Sequence, residues 1–97
     1  MPAYIIAQIN ITDPEKYQEY AKLAAPAGAK YGAKYLVRGG AKTELEGKIP
    51  YQRIVVNEFK DVETAKRFYN SPEYQANIKI RQAHAVGDIL IIEGLDG

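Results

Sequence analysis

The 97-residue chain has no cysteine and no tryptophan, a single histidine and a single methionine. Without cysteine there is no disulfide, thiol nucleophile or iron–sulfur ligation, a composition that fits a reducing compartment. One histidine falls short of the roughly three or four clustered ligands of a typical zinc site, so no metal is expected, and haem ligation by His84 is not expected either. Glycine-rich nucleotide-binding and phosphate-loop patterns are missing, so no cofactor is expected. Gly39-Gly40 lacks the strand-to-helix setting of a phosphate cradle and reads as a hairpin bend. Charge of one sign is not in excess: 13 basic and 12 acidic residues leave a net charge of +1, too little to draw a phosphate backbone, and no nucleic-acid partner is expected. Long apolar runs are absent as well. Runs such as residues 4–7 and 89–92 fall far below the roughly 18 residues of a membrane span, and no membrane partner is expected. Met1-Pro2-Ala3 leads straight into a strand pattern without a basic, apolar leader, so a cytoplasmic location is expected.

What is present is ordinary globular material, 46% apolar and 26% charged, enough for one core and one domain over residues 1–97. Residues 3–11 alternate as a strand, with Ala3, Ile5, Ala7, Ile9 and Ile11 on one face and Tyr4, Ile6, Gln8 and Asn10 on the other. In Thr12-Asp13-Pro14-Glu15 either Thr12 or Asp13 can cap a helix, Pro14 suits its first turn and Glu15 its positive end, and the helix carries Tyr17, Tyr20, Ala21 and Ala24 on its apolar stripe. Pro26 is expected to kink or end that helix. The tandem Gly-Ala-Lys-Tyr of residues 28–35 is too short for a structural repeat and reads as a helix exit into a strand at 33–38.

Residues 39–50 carry no periodicity and form a long connection. A third strand spans 51–59, with Gln52, Ile54, Val56 and Glu58 opposed to Tyr51, Arg53, Val55, Asn57 and Phe59. Asp61 caps a second helix that buries Val62, Ala65, Phe68 and Tyr69; Ser71-Pro72-Glu73 starts a third with Tyr74, Ile78 and Arg81 on one side. Gly87 is expected to end this region and a last strand to span 88–93.

The order β-α-β-β-α-(α)-β predicts an α+β, ferredoxin-like βαββαβ fold with a four-stranded antiparallel sheet. Helices cover one face of such a sheet, yet the first and last strands are apolar on both faces. Burying the second face against another copy predicts a homodimer through sheet faces.

The motifs Thr12-Asp13-Pro14-Glu15 with Tyr17 and Tyr20, then Tyr35-Leu36-Val37-Arg38-Gly39-Gly40, Glu46-Gly47, Glu58-Phe59, Ser71-Pro72-Glu73-Tyr74 and Glu93-Gly94 follow one another along nearly the whole chain. In order and spacing the chain resembles the domain of unknown function 1330 family, within the dimeric α/β-barrel superfamily. The resemblance implies two ferredoxin-like protomers whose sheets face each other with helices outside. It implies no single reaction, because proteins with this barrel include cofactor-free monooxygenases, isomerases and haem-binding enzymes.

Several side chains are candidates for chemistry. His84 is the only group with an ordinary pKa near neutrality and follows Arg81 by three residues, so the pair can act as acid or base and anion partner; a histidine complementing a helix C-terminus is the plainer role. Arg38 and Arg53 can clamp a carboxylate with their planar forks, or can pair with Glu58, Glu93 or an acid of a second copy. Eight tyrosines stand against two phenylalanines, and Tyr17, Tyr20, Tyr69 and Tyr74 should point from helices toward the sheet, as core or as pocket wall. Ser71 reads as a cap rather than a nucleophile. Tyr4, Tyr51 and Phe59 lack the basic and aromatic signature with which this topology binds RNA.

The expected role is the binding of a small carbonyl or carboxylate compound in a cavity between sheet and helices. One alternative is a cofactor-free monooxygenase- or isomerase-like enzyme using His84; another is a non-catalytic interaction module.

Overall fold

The computed structural model describes residues 1–95. Its elements are β1 (Ala3–Ile11), α1 (Pro14–Lys30), β2 (Lys34–Arg38), β3 (Arg53–Phe59), α2 (Val62–Tyr69), α3 (Pro72–His84) and β4 (Ala85–Glu93). Each helix starts on a side chain that occupies an otherwise orphaned backbone donor. The Asp13 carboxylate accepts from Lys16 N at 3.2 Å, Asp61 accepts from Thr64 N at 2.8 Å, and Ser71 Oγ accepts from Tyr74 N at 3.2 Å. The bonds from the Thr64 side chain and backbone hold the Asp61 carboxyl below its ordinary pKa.

Ser71 also donates to the Phe68 carbonyl at 2.7 Å and is buried, so one hydroxyl joins the end of α2 to the start of α3. Ser71→Ala therefore removes two buried hydrogen bonds and is expected to cost about 1–2 kcal/mol. That lowers the thermal midpoint by roughly 4–16 °C. A melting curve shifted by less than about 1 °C would contradict this role for the hydroxyl.

All strand pairs are antiparallel. β1 lies between β3 and β4, β2 pairs with β3, and the sheet order β2-β3-β1-β4 is that of the ferredoxin-like fold. The register sets Ile5, Ile9, Arg53, Asn57, Phe59 and Ile91 on the helix-covered face. On the opposite face lie Tyr4, Ile6, Ile54, Val56, Leu90 and Ile92, and no helix of the chain covers Val86, Leu90 or Ile92, which are 58%, 50% and 51% exposed. Among the described residues no helix is long and apolar enough to cross a membrane.

Three expectations need correction. Pro26 does not end the helix: α1 continues through it to Lys30. A helix-interior proline costs about 3 kcal/mol, and here burial of Ala24, Ala27 and Gly28 around it outweighs that loss. The stop comes at Gly32, whose φ of 75° is the left-handed exit a glycine allows, while Tyr31, Gly32 and Ala33 donate back to the carbonyls of Gly28 and Ala29. β3 begins at Arg53 rather than 51, because residues 50–52 are bonded elsewhere: Asn10 donates to the Pro50 carbonyl at 3.1 Å and accepts from Gln52 N at 2.7 Å. The Tyr51 hydroxyl donates to Asp88.

Gly87, finally, ends nothing. α3 passes straight into β4 at Ala85, whose backbone is already extended, and Gly87 sits inside that strand opposite Ile9. A Cβ there would lie 2.0 Å from the Gln8 carbonyl oxygen, so close approach of β4 to β1 requires glycine.

Candidate functional site

The buried core is split. One cluster gathers Ile5, Phe59, Phe68, Tyr74 and Ile78, while a smaller one holds Ile9, Tyr17 and Ala85 near the other end of β1. Between sheet and helices, reaching both clusters, is a cleft of about 320 Å³. That volume is at the low end of small-molecule sites, which start near 300 Å³.

Its walls follow from strand alternation and helix periodicity. β3 turns Arg53, Val55 and Asn57 toward the helices, and β2 contributes Tyr35 and Arg38. From the helical side come Tyr17, Tyr20, Phe68, Tyr69, Tyr74 and Arg81. The Tyr74–Arg81 spacing is two helical turns on one face of α3. A chain of tilted and edge-on rings lines that wall: Tyr17 and Tyr20 have centroids 5.3 Å apart, Tyr20 and Tyr74 6.1 Å, and Tyr74 lies 4.8 Å from Phe68 and 5.4 Å from Tyr69.

Three guanidinium groups line the cleft and, among the described residues, no carboxylate does. Arg81 is only 8% exposed, its Nε is buried without a hydrogen-bond partner, and the same is true of Arg53 Nε and Asn57 Oδ1. Among the described residues the one ion pair is Lys30–Glu73, 2.6 Å, on the surface. The expected pairing of Arg38 or Arg53 with Glu58 or Glu93 does not form; Glu58 points to the other face of the sheet. Arg38 instead stacks on the ring of Tyr35 at 3.8 Å, a cation–π contact near the cleft mouth. Gly39, with φ 66°, leaves room for Arg53: a Cβ there would lie 2.3 Å from Nη1.

The phenols between these charges stay protonated. Burial pushes the Tyr17 hydroxyl up, and the nearby Arg53 and Arg81 charges oppose that rise without reversing it. Tyr20 is raised strongly, by burial first and by its neighbour Tyr74 second; their hydroxyls share a hydrogen bond of 2.8 Å. Both rings are thus neutral hydrogen-bonding groups at any physiological pH.

Of the residues singled out in the sequence, Arg38, Arg53, Tyr17, Tyr69, Tyr74 and Arg81 all meet at the cleft. His84 does not line it: it is the last residue of α3, and its backbone carbonyl accepts from Thr12 N at 2.9 Å. Ser71 is a cap, as expected. Sequence reasoning passed over Asn57 and Tyr35. Asn57 was detectable, since it shares the alternating face of β3 with Arg53; Tyr35 was not, because the strand register shifts between Tyr35 and Val37.

The sequence model of the family described as Domain of unknown function (DUF1330) matches residues 2–95. The chain belongs to this family. DUF1330 membership agrees with the fold of several solved structures. RPA0582, a protein of unknown function from Rhodopseudomonas palustris, superimposes with a TM-score of 0.81 at 17% identity, covering 99% of this chain and 84% of that one. A dimeric ferredoxin-like protein of unknown function from Thermobifida fusca gives 0.63 at 16% identity, covering 97% and 90%. SnoaB, a cofactor-independent oxygenase from Streptomyces nogalater, gives 0.64 at 11% identity, covering 99% and 95%. At these identities the likeness is one of fold. No curated protein matches the DUF1330 chain.

Proposed function

We propose that the protein is a homodimer in which each protomer binds a small carbonyl or carboxylate compound in the cleft between sheet and helices, with a carboxylate preferred. The observation that carries this reading is the presence of Arg53 and Arg81, both with buried, unpartnered Nε atoms, in a cleft without a carboxylate. A guanidinium in low dielectric with no counter-charge is costly, and a ligand anion accepting its forked donors removes that cost. Binding is favoured over catalysis because no imidazole, thiol or carboxylate lines the cleft. Burial raises the Tyr17 and Tyr20 phenols, which makes them poor general bases there.

The test is thermal unfolding of the full chain with acetate, butyrate or benzoate against chloride at equal ionic strength. At about 100 times its Kd a bound carboxylate stabilises by roughly 2.7 kcal/mol. Wild type is expected to gain stability with at least one of the three, and Arg53→Met to lose most of that gain. Equal responses of the two proteins, or no response from wild type, would reject the reading.

The dimer rests on the uncovered sheet face. Val86, Leu90 and Ile92 lie beside Ile6 and Val56 as one apolar surface of the kind that monomers rarely expose. The dimeric Thermobifida fusca neighbour supports covering it with a second copy. Sedimentation at micromolar concentration is expected to give twice the 10.8 kDa chain mass, and Leu90→Lys with Ile92→Lys is expected to give a monomer. A wild-type monomer, or a doubly charged variant that still pairs, would contradict this assembly.

A further inference from the structure

The cleft is polar at one end and aromatic at the other. On β1, Ile9 lies opposite Arg53 and packs with Tyr17, while Ile5 lies opposite Asn57 and belongs to the cluster of Phe68 and Tyr74. Four residues of strand separate the two ends, about 13 Å. The helical wall repeats the order: α3 runs from Tyr74 to Arg81 over two turns, about 10 Å, and ends where β4 starts opposite Ile11. Arg53 and Arg81 therefore share one end, reached from opposite walls, with the Tyr17 phenol close enough to feel both charges. Along the rest of the cleft, beside Ile5, Phe68, Tyr69 and Tyr74, the one lining cation among the described residues is Arg38, whose guanidinium is stacked on Tyr35, the residue opposite Asn57.

Resting on the anion-site reading, we infer that the ligand is a monocarboxylate with a flat apolar body about one ring in size. Its carboxylate accepts from the guanidinium groups of Arg53 and Arg81, and the Tyr17 hydroxyl donates a further hydrogen bond. Its body lies against the rings of Tyr74, Phe68 and Tyr69, which offer edges and faces suited to a planar partner. A second negative charge on the ligand would fall at the aromatic end, where the single cation, Arg38, is already stacked on the Tyr35 ring. A small hydrated anion such as phosphate would satisfy the arginines and leave the apolar half of the cleft unfilled.

The experiment is a calorimetric titration of the full chain with five probes: phenylacetate, butyrate, 2-phenylethanol, glutarate and inorganic phosphate. Phenylacetate is expected to bind at least about tenfold tighter than each of the other four, tenfold being about 1.4 kcal/mol. Arg81→Met is expected to remove the preference for phenylacetate over 2-phenylethanol. Tyr69→Ala, a substitution at the cleft wall outside the most buried core, is expected to remove the preference for phenylacetate over butyrate while butyrate still binds. Glutarate or phosphate binding as tightly as phenylacetate would overturn the inference and leave the anion site standing. So would a ring preference that survives Tyr69→Ala. If no anion binds, or 2-phenylethanol matches phenylacetate, the anion-site reading falls as well.

Discussion

Gly87→Ala is expected to be among the most damaging single methyl additions in the chain, destabilising it by about 3 kcal/mol or more. The added Cβ would stand 2.0 Å from the Gln8 carbonyl oxygen, 2.8 Å from Ile9 Cα and 2.9 Å from Ile9 Cγ2. Two of those three atoms are backbone of β1, the strand through which β3 and β4 are joined, so no rotamer change relieves the clash. Either β4 peels from β1 or the ladder opens around Ile9, which is only 1% exposed. Urea unfolding checks this: a lowered midpoint with an unchanged slope is expected, and a midpoint within error of wild type would show that β1 and β4 are not so closely apposed.

Arg81→Met is expected to have the opposite sign. An arginine side chain that is 8% exposed, with an orphaned Nε and no partner acid among the described residues, pays desolvation without an ion pair to offset it. Methionine fills comparable volume without a charge and is flexible enough to settle beside Tyr17 and Tyr20. Replacing buried charge with well-packed apolar side chains can stabilise by about 1–4 kcal/mol. The ligand-free protein should therefore melt at higher temperature after the substitution, while its response to carboxylates is lost. Stability exchanged for binding in this way is common at functional sites. Breaking a buried ion pair would instead cost about 3–5 kcal/mol, so a large destabilisation would mean that Arg81 has a counter-charge in the assembled protein.

Much of the fold was legible because local rules and the global arrangement agree. Asp61 and Ser71 cap their helices as expected, Asp13 rather than Thr12 caps the first, and alternation in residues 3–11 and in the 53–59 part of the expected 51–59 strand separated the sheet faces correctly. The errors came where tertiary packing decides. Pro26 breaks helices in general but is carried by buried neighbours, and Gly87 looked like a boundary when its lack of a Cβ serves strand contact. The cleft residues were readable singly, since arginines and tyrosines facing a core stand out. Their convergence was not, because Arg53 and Arg81 lie 28 residues apart on different layers and meet through the register of β1 with β3 and β4. His84 attracted attention by its ordinary pKa and its place three residues after Arg81, and neither says which way the last turn of α3 faces.

A calorimetric titration of phenylacetate into wild type and into the Arg53→Met, Arg81→Met double variant separates an anion site from an ordinary core. One molecule bound per wild-type protomer, with saturable heat that disappears in a folded double variant, is the predicted result. Equal titrations of the two proteins, or no heat from wild type, would mean that the guanidinium groups of the cleft do not hold a carboxylate.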